Sequence, residues 1–185
     1  MAQKKEIKYT VTNMVATVFL GMDLDLFSIA QKIKEVEYEP EQFPGAILRF
    51  KDPKATFLLF KNGKSVCVGC KNRTLIKRAV EKATSLLRKH ARKIHRVKPK
   101  IVITNMVASA DINLKVDLYR IAYELKEVEY EPEQFPGAIV KFRDPKASLL
   151  LFKNGRVICA GAKTRKEIEE TLVKARGLLQ KYESK

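Results

Sequence analysis

Polar and apolar positions alternate along Ile7–Thr17, a stretch rich in β-branched residues. The alternation predicts a strand with Val11, Asn13, Val15 and Thr17 on one face and Thr12, Met14 and Ala16 on the other. The period then lengthens. Leu26, Ile29, Ala30 and Ile33 stand at helical spacing, with Asp23 or Asp25 placed to cap the start, so Leu24–Ile33 predicts a short helix. Val36–Glu39 reads as a brief strand. Pro40 and Pro44-Gly45 end it and leave a tight loop over Glu39–Gly45, with Phe43 near its tip. Ala46–Lys51, Ala55–Lys61 and Lys64–Gly69 are three further strands. Asp52-Pro53 and Asn62-Gly63 punctuate them, the second being a strong hairpin signal. From Arg73 to about Arg92, residues Leu75, Ile76, Ala79, Val80, Ala83, Leu86 and Leu87 trace the stripe of a long amphipathic helix.

The whole series then runs again. Lys34–Ile47 (KEVEYEPEQFPGAI) recurs unchanged as Lys126–Ile139, with Phe43 and Phe135 separated by 135 − 43 = 92 residues. Asn13/Asn105, Phe60/Phe152, Gly63/Gly155 and Cys67/Cys159 keep that offset without a gap. Self-similarity at a fixed period decides architecture first, and two copies are too few for a solenoid. Pro99 marks the join, giving a first repeat over 1–95 and a second over 96–185 that ends in a helix from about Arg165 to Tyr182. Each half is strand, helix, four strands, long helix. Ten strands and four helices predict an α+β fold, one continuous and mostly antiparallel sheet with helices on one side only. The open face is not polar. Alternation places Val15, Leu58, Phe60, Val66 and Val68 on it, and Val107, Leu150, Phe152, Ile158 and Ala160 in the second half. A broad exposed apolar face marks a binding surface.

Composition narrows the partner. A chain of 185 residues, 45% hydrophobic and 31% charged, is long enough for a sizeable core. Its net charge of +16 and pI near 9.8 favour an anionic partner, either nucleic acid or an acidic membrane surface. No apolar run approaches the roughly 20 residues of a membrane span. The N-terminus MAQKKEIKYT lacks the apolar stretch of a signal peptide, and three cysteines make no secreted disulfide framework. The expected home is a reducing cytoplasm.

Catalytic and metal chemistry find little support. Cys67-Val68-Gly69-Cys70 has C-x-x-C spacing, but its copy reads Cys159-Ala160-Gly161-Ala162, so no second pair completes a zinc site. Cys67 and Cys159 are expected as small buried residues on the helix-facing side of a strand. His90 and His95 lie on or just beyond a basic helix without a ligand pattern. Glu37, Glu39 and Glu41 alternate along an exposed strand and loop with no nucleophile beside them. The chain reads as a non-enzyme that needs no metal and no cofactor.

Four motifs at the repeat offset carry a resemblance. They are N-M-V-A-[ST] at Asn13–Thr17 and Asn105–Ser109, EYEPEQFPG twice, L-[FL]-x-N-G-[KR] around Phe60 and Phe152, and C-x-G-x-K at Cys67–Lys71 and Cys159–Lys163. Together they resemble the saddle domain of TATA-box-binding proteins in its archaeal form, over nearly the whole chain. The resemblance implies a curved ten-stranded antiparallel sheet with four helices on its convex face, seated on the minor groove of an A·T-rich element. Wedge insertion, for which this family is itself a type example, falls by matching positions to Phe43 with Phe60 and to Phe135 with Phe152. Asn13 and Asn105 match the paired central asparagines, whose amides donate to A N3 or T O2 on the groove floor. Val15, Val107, Leu58, Leu150, Val66, Ile158, Val68 and Ala160 match positions that press on the opened groove. Arg49, Lys54, Lys64, Lys71, Lys141, Lys146, Arg156 and Lys163 are the implied phosphate neighbours, setting position and salt dependence.

The departures matter as well. Eukaryotic relatives carry threonine where this chain has Val68 and Ala160, so the asparagines take more of the polar readout. Both loops have Pro after Phe, at Pro44 and Pro136, which makes the DNA-facing surface nearly palindromic and predicts poor choice between orientations on a TATA element. In the family, transcription factor B grips the second loop, here Glu131, Glu133 and Gln134, yet Glu39, Glu41 and Gln42 offer the same residues. Something outside the loops must discriminate. The long helices differ: Lys71–Lys100 holds twelve Lys/Arg against one Glu, and Lys163–Lys185 seven against four. The first is either a positive face for flanking DNA or an acidic partner, or simply a solvated helix. The reading is therefore a general transcription initiation factor, associated with the nucleoid of an archaeal cell, that recruits transcription factor B and RNA polymerase. An uncovered apolar sheet is also compatible with a weak homodimer without DNA. Two other classes compete, a non-specific architectural nucleic-acid binder and a protein-interaction module using the open sheet.

Overall fold

Local sequence sets most of the elements. In the computed structural model, which describes residues 7–94 and 98–184 and only the backbone of 91–94, the opening strand is β1 (Tyr9–Phe19). Then come β2 (Met22–Leu24), α1 (Leu26–Lys32), β3 (Val36–Glu37), β4 (Ala46–Phe50), β5 (Ala55–Leu59), β6 (Lys64–Cys70), α2 (Arg73–Arg88) and β7 (Ala91–Ile94). The second half follows with β8 (Lys100–Asp111), α3 (Leu118–Glu124), β9 (Val128–Glu129), β10 (Ala138–Phe142), β11 (Ala147–Leu151), β12 (Arg156–Ala162) and α4 (Arg165–Leu179), with a 3-10 turn at Gln180–Tyr182. Of the two candidate caps of α1 the carboxylate of Asp25 does the work, accepting the Ser28 N–H at 3.2 Å. α4 has a reciprocal cap: Thr164 Oγ1 accepts the Glu167 N–H at 3.1 Å, while the Glu167 carboxylate accepts the Lys163 N–H at 2.8 Å.

The described residues form two compact units, Asn13–Thr104 and the chain up to Thr12 with Asn105 onwards. In the first, the strands run β3-β4-β5-β6-β1, antiparallel throughout. In the second they run β9-β10-β11-β12-β8, again antiparallel. β1 and β8 each pass through both units, and the strands of the two runs number the expected ten. Within the second unit Thr12 Oγ1 donates to the Val107 carbonyl at 3.2 Å; within the first, Thr104 Oγ1 donates to Val15 at 3.3 Å.

In each unit the helices cover one face of the strands. Leu48, Phe57 and Leu59 are buried with Ile76, Ala79, Val80, Ala83 and Leu87 of α2; Val140, Leu149 and Leu151 with Ile168, Leu172, Ala175 and Leu179 of α4. Each such large side chain contributes on the order of 1.5–3 kcal/mol by leaving water.

Three details depart from the sequence reading. α2 ends at Arg88 rather than Arg92, and the following residues form β7, paired with β2 in a separate two-stranded sheet (Met22 opposite Ile94, Asp23 opposite Lys93). After Leu87 no large apolar residue continues the stripe until Ile94, so a longer helix would have nothing to bury, and β2 offers the backbone its hydrogen bonds instead. Val11, placed on the open face by alternation, is 7% exposed, whereas Asn13 and Val15 are half-exposed. The basic stretch Lys71–Lys100 is thus helix only in part; His95 and its neighbours to residue 97 lie outside the described residues.

Candidate nucleic-acid interface

The face of each unit away from its helices is built from alternate residues of the central strands. In β5 and β6, Phe57, Leu59, Ser65 and Cys67 turn inward and are buried, while Leu58, Val66 and Val68 stay half-exposed. Leu58 lies directly opposite Val66, and Ile47 directly opposite Leu58, so the three share one face as cross-strand neighbours. In the second unit Leu150 faces Ile158 and Ile139 faces Leu150, with Ile158 38% exposed. Val15, Val107 and Ala160 are half-exposed too. The predicted apolar positions therefore form one continuous surface within each unit.

Sequence reasoning missed some members of that surface. Ile47 and Ile139 belong to it, and Thr56 and Ser148 stand directly opposite Val68 and Ala160. These hydroxyl residues flank the positions where the chain lacks threonine. The signal for them was present, because alternation from Leu58 and Leu150 reaches them in two steps.

The two asparagines occupy matching places. Asn13 Oδ1 accepts the Gly69 N–H at 3.0 Å and Asn105 Oδ1 accepts the Gly161 N–H at 2.8 Å. Both glycines have left-handed backbone, with φ +94° and +99°, at the point where the strand register shifts. The shift turns each glycine N–H toward the asparagine. With the amide oxygen so engaged, the NH2 is the group left to donate outward.

The four phenylalanines come together in two pairs. The rings of Phe43 and Phe60 are 5.9 Å apart at 63°, and those of Phe135 and Phe152 5.9 Å apart at 59°. Each loop closes by N–H groups of Gln42 and Phe43 donating to the Glu39 carbonyl, repeated by Gln134 and Phe135 on Glu131. Phe135 remains 41% exposed. Gly45 and Gly137 leave room for the pairs. A Cβ on Gly45 would lie 2.7 Å from the Phe43 ring and 3.2 Å from the Phe60 ring; on Gly137 the distances are 2.8 and 3.2 Å.

All eight implied phosphate neighbours are exposed. Lys141, Lys146 and Lys163 line one groove of about 830 Å³ together with Lys126 and Arg143, two cations the sequence reading did not select. Lys64 lines a groove with Phe60, and Arg156 one with Phe152. Arg49 is held by Glu37 at 2.6 Å, and Lys141 is paired with Glu129, so these two already have carboxylate partners. Lys82, on the basic helix, is tied down as well, donating to the Asp52 carbonyl at 2.7 Å with its ammonium 4.7 Å from the Phe50 ring centroid. Glu131, Glu133 and Gln134 are exposed, with the Gln134 amide donating to Glu131, and so are Glu39, Glu41 and Gln42.

The cysteines are buried, as expected for packing residues. Burial pushes the Cys159 thiol up to about 11, and the Cys67 thiol is raised by its hydrogen bond with Cys70 and by burial, so both are protonated at neutral pH. Among the described residues no group of three or more His, Cys, Asp or Glu side chains could hold a metal, and no helix is long and apolar enough to cross a membrane.

The geometry has known counterparts. The family model described as transcription factor TFIID (or TATA-binding protein, TBP) matches residues 8–90 and again 100–182. The TATA-box-binding protein of Thermococcus kodakarensis is 42% identical over 182 residues, covering 98% of this chain and 95% of its own. That of Pyrodictium occultum is 45% identical over 175 residues, covering 94% and 87%. Among solved structures, Methanococcus jannaschii TBP superposes with a TM-score of 0.86 at 35% identity, covering 94% of this chain and 99% of the other.

Proposed function

This chain belongs to the TATA-binding protein family, and on that premise we propose that it is an archaeal general transcription initiation factor that binds and bends TATA-box DNA through the minor groove. The observation that carries this reading is duplication of one geometry. An asparagine amide held by a glycine N–H, an apolar strand surface and a phenylalanine pair occur once in each unit.

Each part has a chemical task. The amide NH2 of Asn13 and Asn105 donates to A N3 or T O2, and a guanine amino group would crowd the same place, so A·T is read against G·C. The apolar strand residues press on a groove that has been opened and drained of water. Phe43 with Phe60, and Phe135 with Phe152, wedge into a base step and replace its lost stacking. Lysines and arginines along the edges neutralise phosphate, which fixes position and makes binding salt-dependent. No step breaks a covalent bond, as befits a family of DNA-binding factors rather than enzymes.

Bent DNA then serves as the platform for transcription factor B, which engages Glu131, Glu133 and Gln134, and for RNA polymerase; the working place is the nucleoid. The test is end-to-end fluorescence transfer on a labelled TATA duplex and a G·C-rich control, with wild type and Phe43→Ala/Phe135→Ala. Bending of the TATA duplex alone, much reduced in the double variant, is the expected result. Equal binding to both duplexes without bending would sink the proposal.

A further inference from the structure

The two acidic loops, Glu39–Gly45 and Glu131–Gly137, are identical in sequence, so neither alone tells a partner which half it has met. The helices beside them differ. α1 presents Phe27, 59% exposed, and one turn later Gln31 and Lys32; α3 presents Tyr119, 60% exposed, and one turn later Tyr123, 92% exposed, and Glu124. The Tyr119 ring stands edge-on to Tyr130, with centroids 5.1 Å apart at 75°, and Tyr130 leads directly into Glu131. Residues one turn apart share a helix face. Tyr123, Tyr119, Tyr130 and the acidic loop therefore make one strip on the second unit.

The charge of that strip selects its occupant. On a chain of net charge +16, residues 124–133 carry five glutamates, at 124, 127, 129, 131 and 133, against the single Lys126. Arg120 pairs with Glu124 at 2.9 Å and Lys141 with Glu129, which leaves Glu127, Glu131 and Glu133 to dominate. Lys32 in place of Glu124 reverses the sign at the matching position of α1. Nucleic acid is repelled from such a surface. Carboxylates beside tyrosine faces suit guanidinium and ammonium groups, which pair with the first and stack on the second. Tyr119 already has the Lys153 ammonium 5.8 Å from its centroid, so its face is receptive to cations.

We propose that Tyr119 and Tyr123 of α3, continuous with Tyr130 and the second acidic loop, are the docking strip for an Arg/Lys-bearing face of a protein partner, and that this strip makes the partner choose the second loop over the first. The proposal rests on the reading above, in which transcription factor B engages that loop. Tyr119→Phe/Tyr123→Gln gives α3 the side chains of α1, and Gln31→Tyr gives α1 the missing ring. All three positions are exposed and lie off the proposed DNA surface.

The experiment titrates each protein, bound to a labelled TATA duplex, with a recombinant archaeal transcription factor B, and footprints the complex by hydroxyl radical. Bending by the initiation factor alone is expected to be unchanged in every variant. The tyrosine variant is expected to bind transcription factor B at least tenfold more weakly, with a footprint spread over both flanks of the element instead of one. Gln31→Tyr is expected to spread the footprint without weakening binding. Unchanged affinity with a one-sided footprint in the tyrosine variant, while wild type bends DNA, would overturn this proposal alone. A wild type that does not bend DNA would overturn the parent reading and this one with it. Sedimentation of the free proteins supplies a further outcome: a wild-type dimer made monomeric by the tyrosine variant would show a second copy as the occupant and overturn the proposal.

Discussion

Asn13 and Asn105 each use one end of an amide inside the protein and keep the other for a ligand. The oxygen is fixed by a glycine N–H at 3.0 or 2.8 Å, so replacing the amide by a carboxylate separates the two tasks. Asn105→Asp retains the acceptor for Gly161 but loses the donor and adds a charge facing phosphate-rich DNA. TATA affinity measured by gel shift is expected to fall by roughly 1–3 kcal/mol, about five- to 150-fold, with the melting temperature shifted by only a few degrees. Cys159 gives a second test at this scale. Its thiol is raised from an ordinary 9.0 to about 11 by burial, so the folded state holds this proton more tightly than the unfolded chain. The stabilisation is complete below about pH 9 and is lost as pH rises towards 11, amounting to at most about 3 kcal/mol. Thermal melts between pH 8 and 10.5 are expected to fall less steeply in Cys159→Ala than in wild type.

Elements are where sequence pattern and packing part company. The Asn62-Gly63 and Asn154-Gly155 hairpins are plain in the sequence, but what they touch is not. Gly63 has φ +72° and a Cβ there would lie 1.9 Å from the Met22 carbonyl oxygen of β2; on Gly155, with φ +83°, it would lie 2.3 Å from that of Leu114. Both hairpin tips are therefore pressed against the segment that follows the first strand of their repeat. Gly63→Ala combines backbone strain with a backbone clash and is expected to destabilise by about 3 kcal/mol or more by urea unfolding. Thr164→Ala removes only an N-cap, for a loss of roughly 1 kcal/mol. The same packing explains why β2 and β7 escaped the pattern: three residues are too few to show a period, and β7 exists because β2 is there to bind it.

For the whole molecule the relevant quantities are charge and near-palindromy. Eight cations sit on the implied phosphate path, and if all eight neutralise phosphate, log K should fall against log salt with a slope of about −7. Lys64→Ala and Arg156→Ala are each expected to reduce that slope by about one, whereas Lys82→Ala leaves it unchanged because Lys82 serves the Asp52 turn. The pairs Asn13/Asn105, Phe43/Phe135, Phe60/Phe152 and Leu58/Leu150 are identical between repeats, and Val66/Ile158 and Val68/Ala160 differ only in apolar shape. Bound alone to an asymmetric TATA element, the protein is expected to occupy both orientations within about tenfold of one another. Directed cleavage from a single attached reagent measures that ratio.

Repetition, alternation and turn chemistry are local properties, and the sequence by itself determined what they control. Those are the two repeats, the ten strands and four helices, the loops with Phe43 and Phe135 near their tips, the buried Cys67 and Cys159, and the identity of most open-face residues. A side chain's face follows from a period of two or 3.6, which needs no knowledge of distant contacts. Tertiary structure decided whatever depends on a partner far along the chain. It ended α2 at Arg88, because β2 lay ready to pair with the residues beyond. It buried Val11 against the alternation, turned the asparagine oxygens onto glycines 56 residues away, placed Thr56 and Ser148 opposite Val68 and Ala160, and engaged Arg49 and Lys141 with glutamates. It also set Tyr119 edge-on to Tyr130 beside the second loop, as it set Phe27 edge-on to Tyr38 beside the first. Hydrogen bonds and ion pairs between distant residues form only where folding brings their atoms within about 3 Å, and no pattern in one segment records which partner will arrive.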